Sequence, residues 1–93
     1  MVITQSEVVY VFLAINQDAK GELRKFQFTQ LAKVNALAFK LDALVEDGKV
    51  KEGDHDVEVT TDEKKMISDF IKEREWPMGD AKVILGLTEK LDA

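Results

Sequence analysis

The triplet Asp54-His55-Asp56, with Glu52 two residues before it, holds the only histidine of the chain beside the densest carboxylates. Imidazole and carboxylate are metal-ligand types, so this is the first place to ask for chemistry. An EF-hand loop counted from Asp47 puts Glu52 at the sixth position, where the sharp turn of that loop requires glycine. A structural site needs about four ordered ligands. The expectation is therefore a solvated acidic turn with no metal. The remaining inventory is equally short: one tyrosine, two serines and no cysteine. Neither Ser6 nor Ser68 stands in a nucleophile-elbow motif, and no glycine-rich phosphate loop is present. Catalysis needs convergent groups with tuned acidity. None is visible, so the chain reads as non-catalytic, with no cofactor.

Charge narrows the partners. The 93 residues carry a net charge of −5. Residues 1–46 hold five basic and five acidic side chains, whereas residues 47–93 hold eight basic and thirteen acidic. Between Glu46 and Glu63 eight carboxylates face only Lys49 and Lys51. Such a surface repels phosphate backbones, which disfavours nucleic acid. It is read as a solvated loop; a docking patch for a basic partner is the alternative. Without cysteine there are no disulfides, which suits a reducing cytoplasm. The longest apolar run, Val8 to Ile15, has eight residues, against the roughly 20 needed to span a bilayer. Glu7 precedes it and no basic region leads in, so it is not read as a signal peptide. A soluble, cytoplasmic protein with one small domain over residues 1–93 is expected.

Two local signatures fix helix starts. Thr4 precedes Glu7 by three residues, and Thr60 precedes Glu63 likewise. This is the capping box, in which each side chain serves the other residue's backbone N–H. Ile3 and Val8 stand where a hydrophobic staple needs them. The likeness of the two starts is taken as shared capping chemistry rather than an internal repeat, because the following residues differ. The first box and Gly21 bracket a helix from about Gln5 to Ala19. Its β-branched content keeps a buried strand over residues 8–15 as the alternative. A long central helix follows, starting near Leu23 or near Phe28 and ending near Glu46, with Leu23, Phe26, Leu31, Val34, Leu37, Leu41 and Leu44 in one arc. Val50, Val57 and Val59 suggest a short β-hairpin within residues 49–59, turning at Gly53-Asp54. A third helix runs from the Thr60 cap to Trp76, where Pro77 disfavours helix in the residue before it. Gly79-Asp80 caps a last helix with Val83, Ile84, Leu87 and Leu91 on one face. Gly86 in its middle is read as a close contact with a neighbour. The fold class is mostly α: a small four-helix domain with a short hairpin, or α+β if residues 8–15 form a strand.

Apolar side chains without an evident place are the candidate binding residues. The first helix is apolar all round in its middle turns. Either its own chain covers it, or Val9, Tyr10 and Leu13 face a second copy or another protein. Phe28 and Phe39 share a side of the second helix with Ala32 and Asn35 between them, away from the main apolar arc. They are second-side core or an exposed stripe for a partner. Trp76, next to Pro77 and Met78, is a core lid or a hot spot. These six residues define a protein-interaction domain, expected to self-associate as an adaptor, assembly factor or inhibitor.

One stretch suggests something else. The leucine-rich helix ending Ala43-Leu44-Val45-Glu46-Asp47-Gly48-Lys49-Val50, followed by a hairpin, resembles the winged-helix family over about thirty residues. That resemblance implies a DNA-binding regulator whose long helix reads the duplex and whose hairpin is the wing. The sequence departs from it in carrying Glu52, Asp54, Asp56 and Glu58 where a wing needs basic residues. In size, acidity and lack of cysteine the chain is similar to phage-encoded assembly and host-interaction proteins.

Overall fold

The computed structural model describes all residues, 1–93. Four helices carry the chain: α1 (Gln5–Asn16), α2 (Phe28–Asp42), α3 (Thr61–Lys72) and α4 (Ala81–Asp92), the last preceded by a 3-10 turn at Met78–Asp80. Four short strands add two antiparallel pairs. β1 (Val2–Thr4) pairs with β4 (Asp54–Asp56), and β2 (Val45–Glu46) pairs with β3 (Lys49–Val50). The chain is thus mostly α with short β pairs, and residues 8–15 are helix. No helix is long and apolar enough to cross a membrane.

Both capping boxes form. Thr4 Oγ1 accepts from the Glu7 N–H and Glu7 Oε1 accepts from the Thr4 N–H; Thr60 and Glu63 do the same. Both glutamates are buried, and each also receives a lysine from afar. Lys90 in the last turn of α4 donates to Glu7 at 2.7 Å, and Lys40 in the last turn of α2 donates to Glu63 at 2.7 Å. Exchanging α1 with α3 and α2 with α4 turns one ion pair into the other. Burial follows the same exchange. Glu7, Val11, Ala14 and Ile15 of α1 match Glu63, Ile67, Phe70 and Ile71 of α3; Val34, Leu37 and Leu41 of α2 match Ile84, Leu87 and Leu91 of α4. Lys-Leu-Asp-Ala occurs at 40–43 and again at 90–93. The two halves thus share cap chemistry and part of their inward pattern, but they are not equivalent in packing: α1 touches every other helix, and buried Val8 corresponds to Lys64, which is not buried.

The apolar run of the first helix packs against its own chain. Val8, Val11, Ala14 and Ile15 are buried, Tyr10, Phe12 and Leu13 half-buried, and α1 touches α2, α3, α4, β1 and β3. The centre belongs to α1, not to α2 as expected from length. The reason is compositional: α1 has no polar face along its middle, so the most covered place costs least there.

Helix ends depart from expectation where loop residues and side chains set them. α1 stops at Asn16 rather than Ala19. Gln17 turns extended and bridges Leu23, and Asp18 Oδ1 accepts from the Lys20 and Glu22 N–H groups. Two arginines serve the carbonyls at its end: Arg24 donates to the Ala14 and Gln17 oxygens, and Arg74 donates to that of Leu13, which also accepts the Gln17 N–H. α2 starts at Phe28 and stops at Asp42, not Glu46, because Val45 and Glu46 leave for the hairpin. Its turn is Asp47-Gly48, with φ of 53° and 76°. Positive φ at both central residues is what a type I′ turn needs, and Asp-Gly supplies it cheaply. The hairpin thus turns at Asp47-Gly48 and not at Gly53-Asp54, while Asp54–Asp56 pairs with the N-terminal strand. α3 stops at Lys72, short of Trp76, whose indole N–H donates to the Ile71 carbonyl. The winged-helix resemblance does not extend to this topology: α2 is unbroken, and only two helices precede the first hairpin.

Gly86 is not a close contact. A Cβ built there meets nothing within 4 Å, and its φ lies outside the left-handed range. The matching residue of the first pair is Ala36. Gly86→Ala is therefore expected to stabilise the fold by about 0.5–1 kcal/mol, seen as a rise in thermal midpoint of a few degrees. An unchanged or lower midpoint would mean that the site needs its freedom.

Candidate interaction surface

α2 faces two ways. Val34, Leu37 and Leu41 point into the core. The far side carries Phe28 at 88% exposure and Phe39 at 77%, with exposed Ala32, Asn35 and Ala36 between them. Leu31, assigned from the sequence to the inward arc, is 46% exposed and borders Phe28; Leu23, assigned likewise, is 82% exposed. Single apolar side chains on a surface are ordinary, but two phenylalanines aligned on one helix face with a leucine beside them form a patch. The second-side core reading for these rings is therefore corrected: no element covers them.

The other candidates sit differently. The Tyr10 hydroxyl donates to Asp80 Oδ1 at 2.7 Å, and its ring meets Trp76 edge-on with centroids 5.7 Å apart. That hydrogen bond, followed by partial burial and the Asp80 charge, raises the phenol's pKa above its ordinary value. Trp76 is half-buried, and the Arg74 guanidinium stacks on it at 4.8 Å. It closes the break between α3 and α4 as a lid. Leu13 is half-buried, and of the first-helix trio only Val9, at 50% exposure, stands well into solvent. Tyr10 and Trp76 have their contacts inside the molecule and lie apart from the Phe28–Phe39 stripe.

Arg24 was not singled out in the sequence, yet it ties the connection between α1 and α2 to the body. Its side chain is 8% exposed, pairs with Glu73 and lies 4.2 Å from the Phe70 ring centroid. The groups weighed for chemistry are occupied elsewhere. In β4 the strand alternation sends His55 to the opposite side from Asp54 and Asp56, and the imidazole Nε2 lies 2.8 Å from the Lys51 carbonyl. Ser68 is buried and donates to Asp92, whose other oxygen takes Lys72. Lys72 first and Ser68 second hold the Asp92 carboxyl below the usual range. No protein-family model matches the chain, and neither does any curated protein or solved structure.

Proposed function

We propose that the protein is a non-catalytic interaction domain that self-associates through the outer face of α2, in the manner of a small adaptor, assembly factor or inhibitor. The supporting observation is the pair Phe28 and Phe39, nearly fully exposed on the side of α2 opposite its core face. Burying two such rings removes a large apolar area from water, and a second copy is the commonest cover for such a patch. A cysteine-free chain suits the cytoplasm, where we place its work. Nothing in the arrangement favours the duplex-binding alternative.

The test is absolute mass by light scattering over a range of concentrations. The wild type is expected to shift from monomer to dimer. Phe39→Asp should weaken that by roughly 30-fold, the scale of a hot-spot loss of about 2 kcal/mol. Because Phe39 touches solvent rather than core, thermal stability of the monomer should change by no more than about 0.5 kcal/mol. A wild type that is monomeric at every concentration would remove the self-association.

A further inference from the structure

The hairpin tip Asp47-Gly48 is the only place in the chain where an aspartate or asparagine is followed by glycine. Both residues are exposed, and Asp47 takes part in no ion pair. The Gly48 N–H donates to no backbone carbonyl. Asp47 is also the only non-glycine residue at positive φ, 53°.

Together these features make the Gly48 nitrogen a latent nucleophile. When the carboxyl of the preceding residue swings over it, bond formation closes a five-membered ring. A Cβ on the following residue would crowd that approach, and glycine has none. An N–H held in a helix, cap or ladder is kept away from it. Other aspartates lack both conditions. The N–H groups after Asp56, Asp62 and Asp80 donate to the Met1 carbonyl, the Thr60 hydroxyl and the Met78 carbonyl.

We propose that Asp47 is a site of spontaneous covalent modification, in which the Gly48 nitrogen captures its carboxyl and the chain is re-routed through the side chain as isoaspartate. In the first step the bond from nitrogen to Cγ forms. The protonated carboxyl loses its hydroxyl, which leaves as water with the Gly48 proton, and a succinimide ring remains. In the second step water adds to one ring carbonyl. Attack at Cγ breaks the new bond and restores aspartate. Attack at the Asp47 main-chain carbonyl breaks its bond to the Gly48 nitrogen, and the chain then runs through Cβ and Cγ. One water leaves and one enters, so the mass is unchanged and no oxidant or reductant is needed.

The hairpin gives the site little protection. The turn must open for the carboxyl to reach the nitrogen. Only two residue pairs hold it, Val45 with Val50 and Glu46 with Lys49, and a two-stranded hairpin is marginal by itself. Exposed elements of this kind open locally at small cost. Opening also releases Asp47 from a left-handed conformation that non-glycine residues disfavour. The product does not fit back. Isoaspartate adds one carbon to the main chain of a two-residue turn, so the backbone no longer matches a type I′ turn. Two bonds depend on that register: the Lys51 N–H to the Leu44 carbonyl at 2.8 Å, and the Gln5 side-chain amide to the Val50 carbonyl at 3.2 Å. The second ties the hairpin to the first turn of α1.

The test is ageing of the folded protein in heavy-oxygen water near neutral pH, followed by tryptic digestion in ordinary water and mass spectrometry. The peptide Leu41–Lys49 holds Asp47 and an internal control, Asp42, whose following Ala43 N–H is donated in the last turn of α2. Heavy oxygen should accumulate at residue 47 and not at residue 42, with an isomeric peptide of the same composition and different retention. The rate in the folded protein should lie within about tenfold of that in the free peptide Leu41–Lys49. Aged protein should show a second thermal transition about 4–8 °C below the first, the shift for about one lost hydrogen bond in a domain of this size. Asp47→Gly suits positive φ, so it should fold with an unchanged or higher midpoint and show no such ageing. No label at residue 47 while the free peptide converts would overturn the proposal, and so would equal labelling at residue 42. Label at residue 47 with an unchanged transition would overturn the breaking of the hairpin.

Discussion

Truncating Leu37 to alanine is expected to cost about 2–5 kcal/mol of folding free energy, and truncating Leu87 a similar amount. Both side chains are at 0% exposure, and both lie in the core that all four helices line. The loss has two parts: the apolar surface no longer removed from water, and the cavity left among neighbours that relax only partly. For a chain of this length the whole stability is about 5–14 kcal/mol, so either change takes a large fraction of it. The equality of the two costs is the sharper expectation. Leu37 sits three residues before the Lys40 that pairs with the α3 capping glutamate. Leu87 sits three residues before the Lys90 that pairs with the α1 capping glutamate. If these two corresponding positions are equally important to the shared core, the urea midpoints of Leu37→Ala and Leu87→Ala should fall together with unchanged slopes. A difference of more than about 2 kcal/mol would mean that one pair dominates the core and the other leans on it.

Features with a complete residue signature were legible in the sequence, and features set by side-chain contacts without one were not. Thr4 with Glu7 and Thr60 with Glu63 announce two helix starts because a capping box is complete within four residues. The ends of the same helices depend on side-chain contacts of Arg24 and Trp76, a few residues further along the chain, and of Arg74, which arrives at the Leu13 carbonyl from the far end of α3; none has a fixed local signature. The hairpin was misplaced for a different reason. Asp47-Gly48 carries the turn signal, but it follows a long helical pattern and so reads as a helix stop. The valine alternation further on drew attention to the wrong glycine. The correspondence of inward positions between the two halves was hidden because α1 is apolar where α3 is charged. Only inward positions and the repeated Lys-Leu-Asp-Ala preserve it. The second apolar side of α2 was legible; whether it is covered was not. That depends on which helix takes the centre. Once the all-apolar α1 occupies it, α2 is left at the periphery with Phe28 and Phe39 in solvent.

Replacing Lys40 by methionine is the change expected to alter the response to acid. Glu63 is buried, and burial is the strongest single influence on its carboxyl, pushing the pKa up. The Lys40 ammonium at 2.7 Å, with the Thr60 N–H and hydroxyl contacts, outweighs it, and the net pKa lies below the ordinary 4.5. A carboxyl depressed in the folded state adds stability above its unfolded pKa. That contribution is lost as pH falls through the folded value. The wild type should therefore lose stability below about pH 4.5, with Asp92 and Asp18, which are also held low, adding to the same limb. In Lys40→Met only the Thr60 contacts are left to offset the burial, so the Glu63 pKa rises and the ionised form is less favoured at neutral pH. The expected cost at pH 7 is about 2 kcal/mol, below the 3–5 of a fully buried broken pair because Lys40 itself is one-third exposed. The gap between variant and wild type should then narrow on acidification, since protonating Glu63 relieves the variant while it destabilises the wild type. The contributions of Asp92 and Asp18 cancel in that difference. Denaturant titrations at pH 7, 5 and 4 measure it. Stability curves that stay parallel across this range would show that the Lys40 ammonium does not control Glu63, and that the variant's cost comes from packing alone.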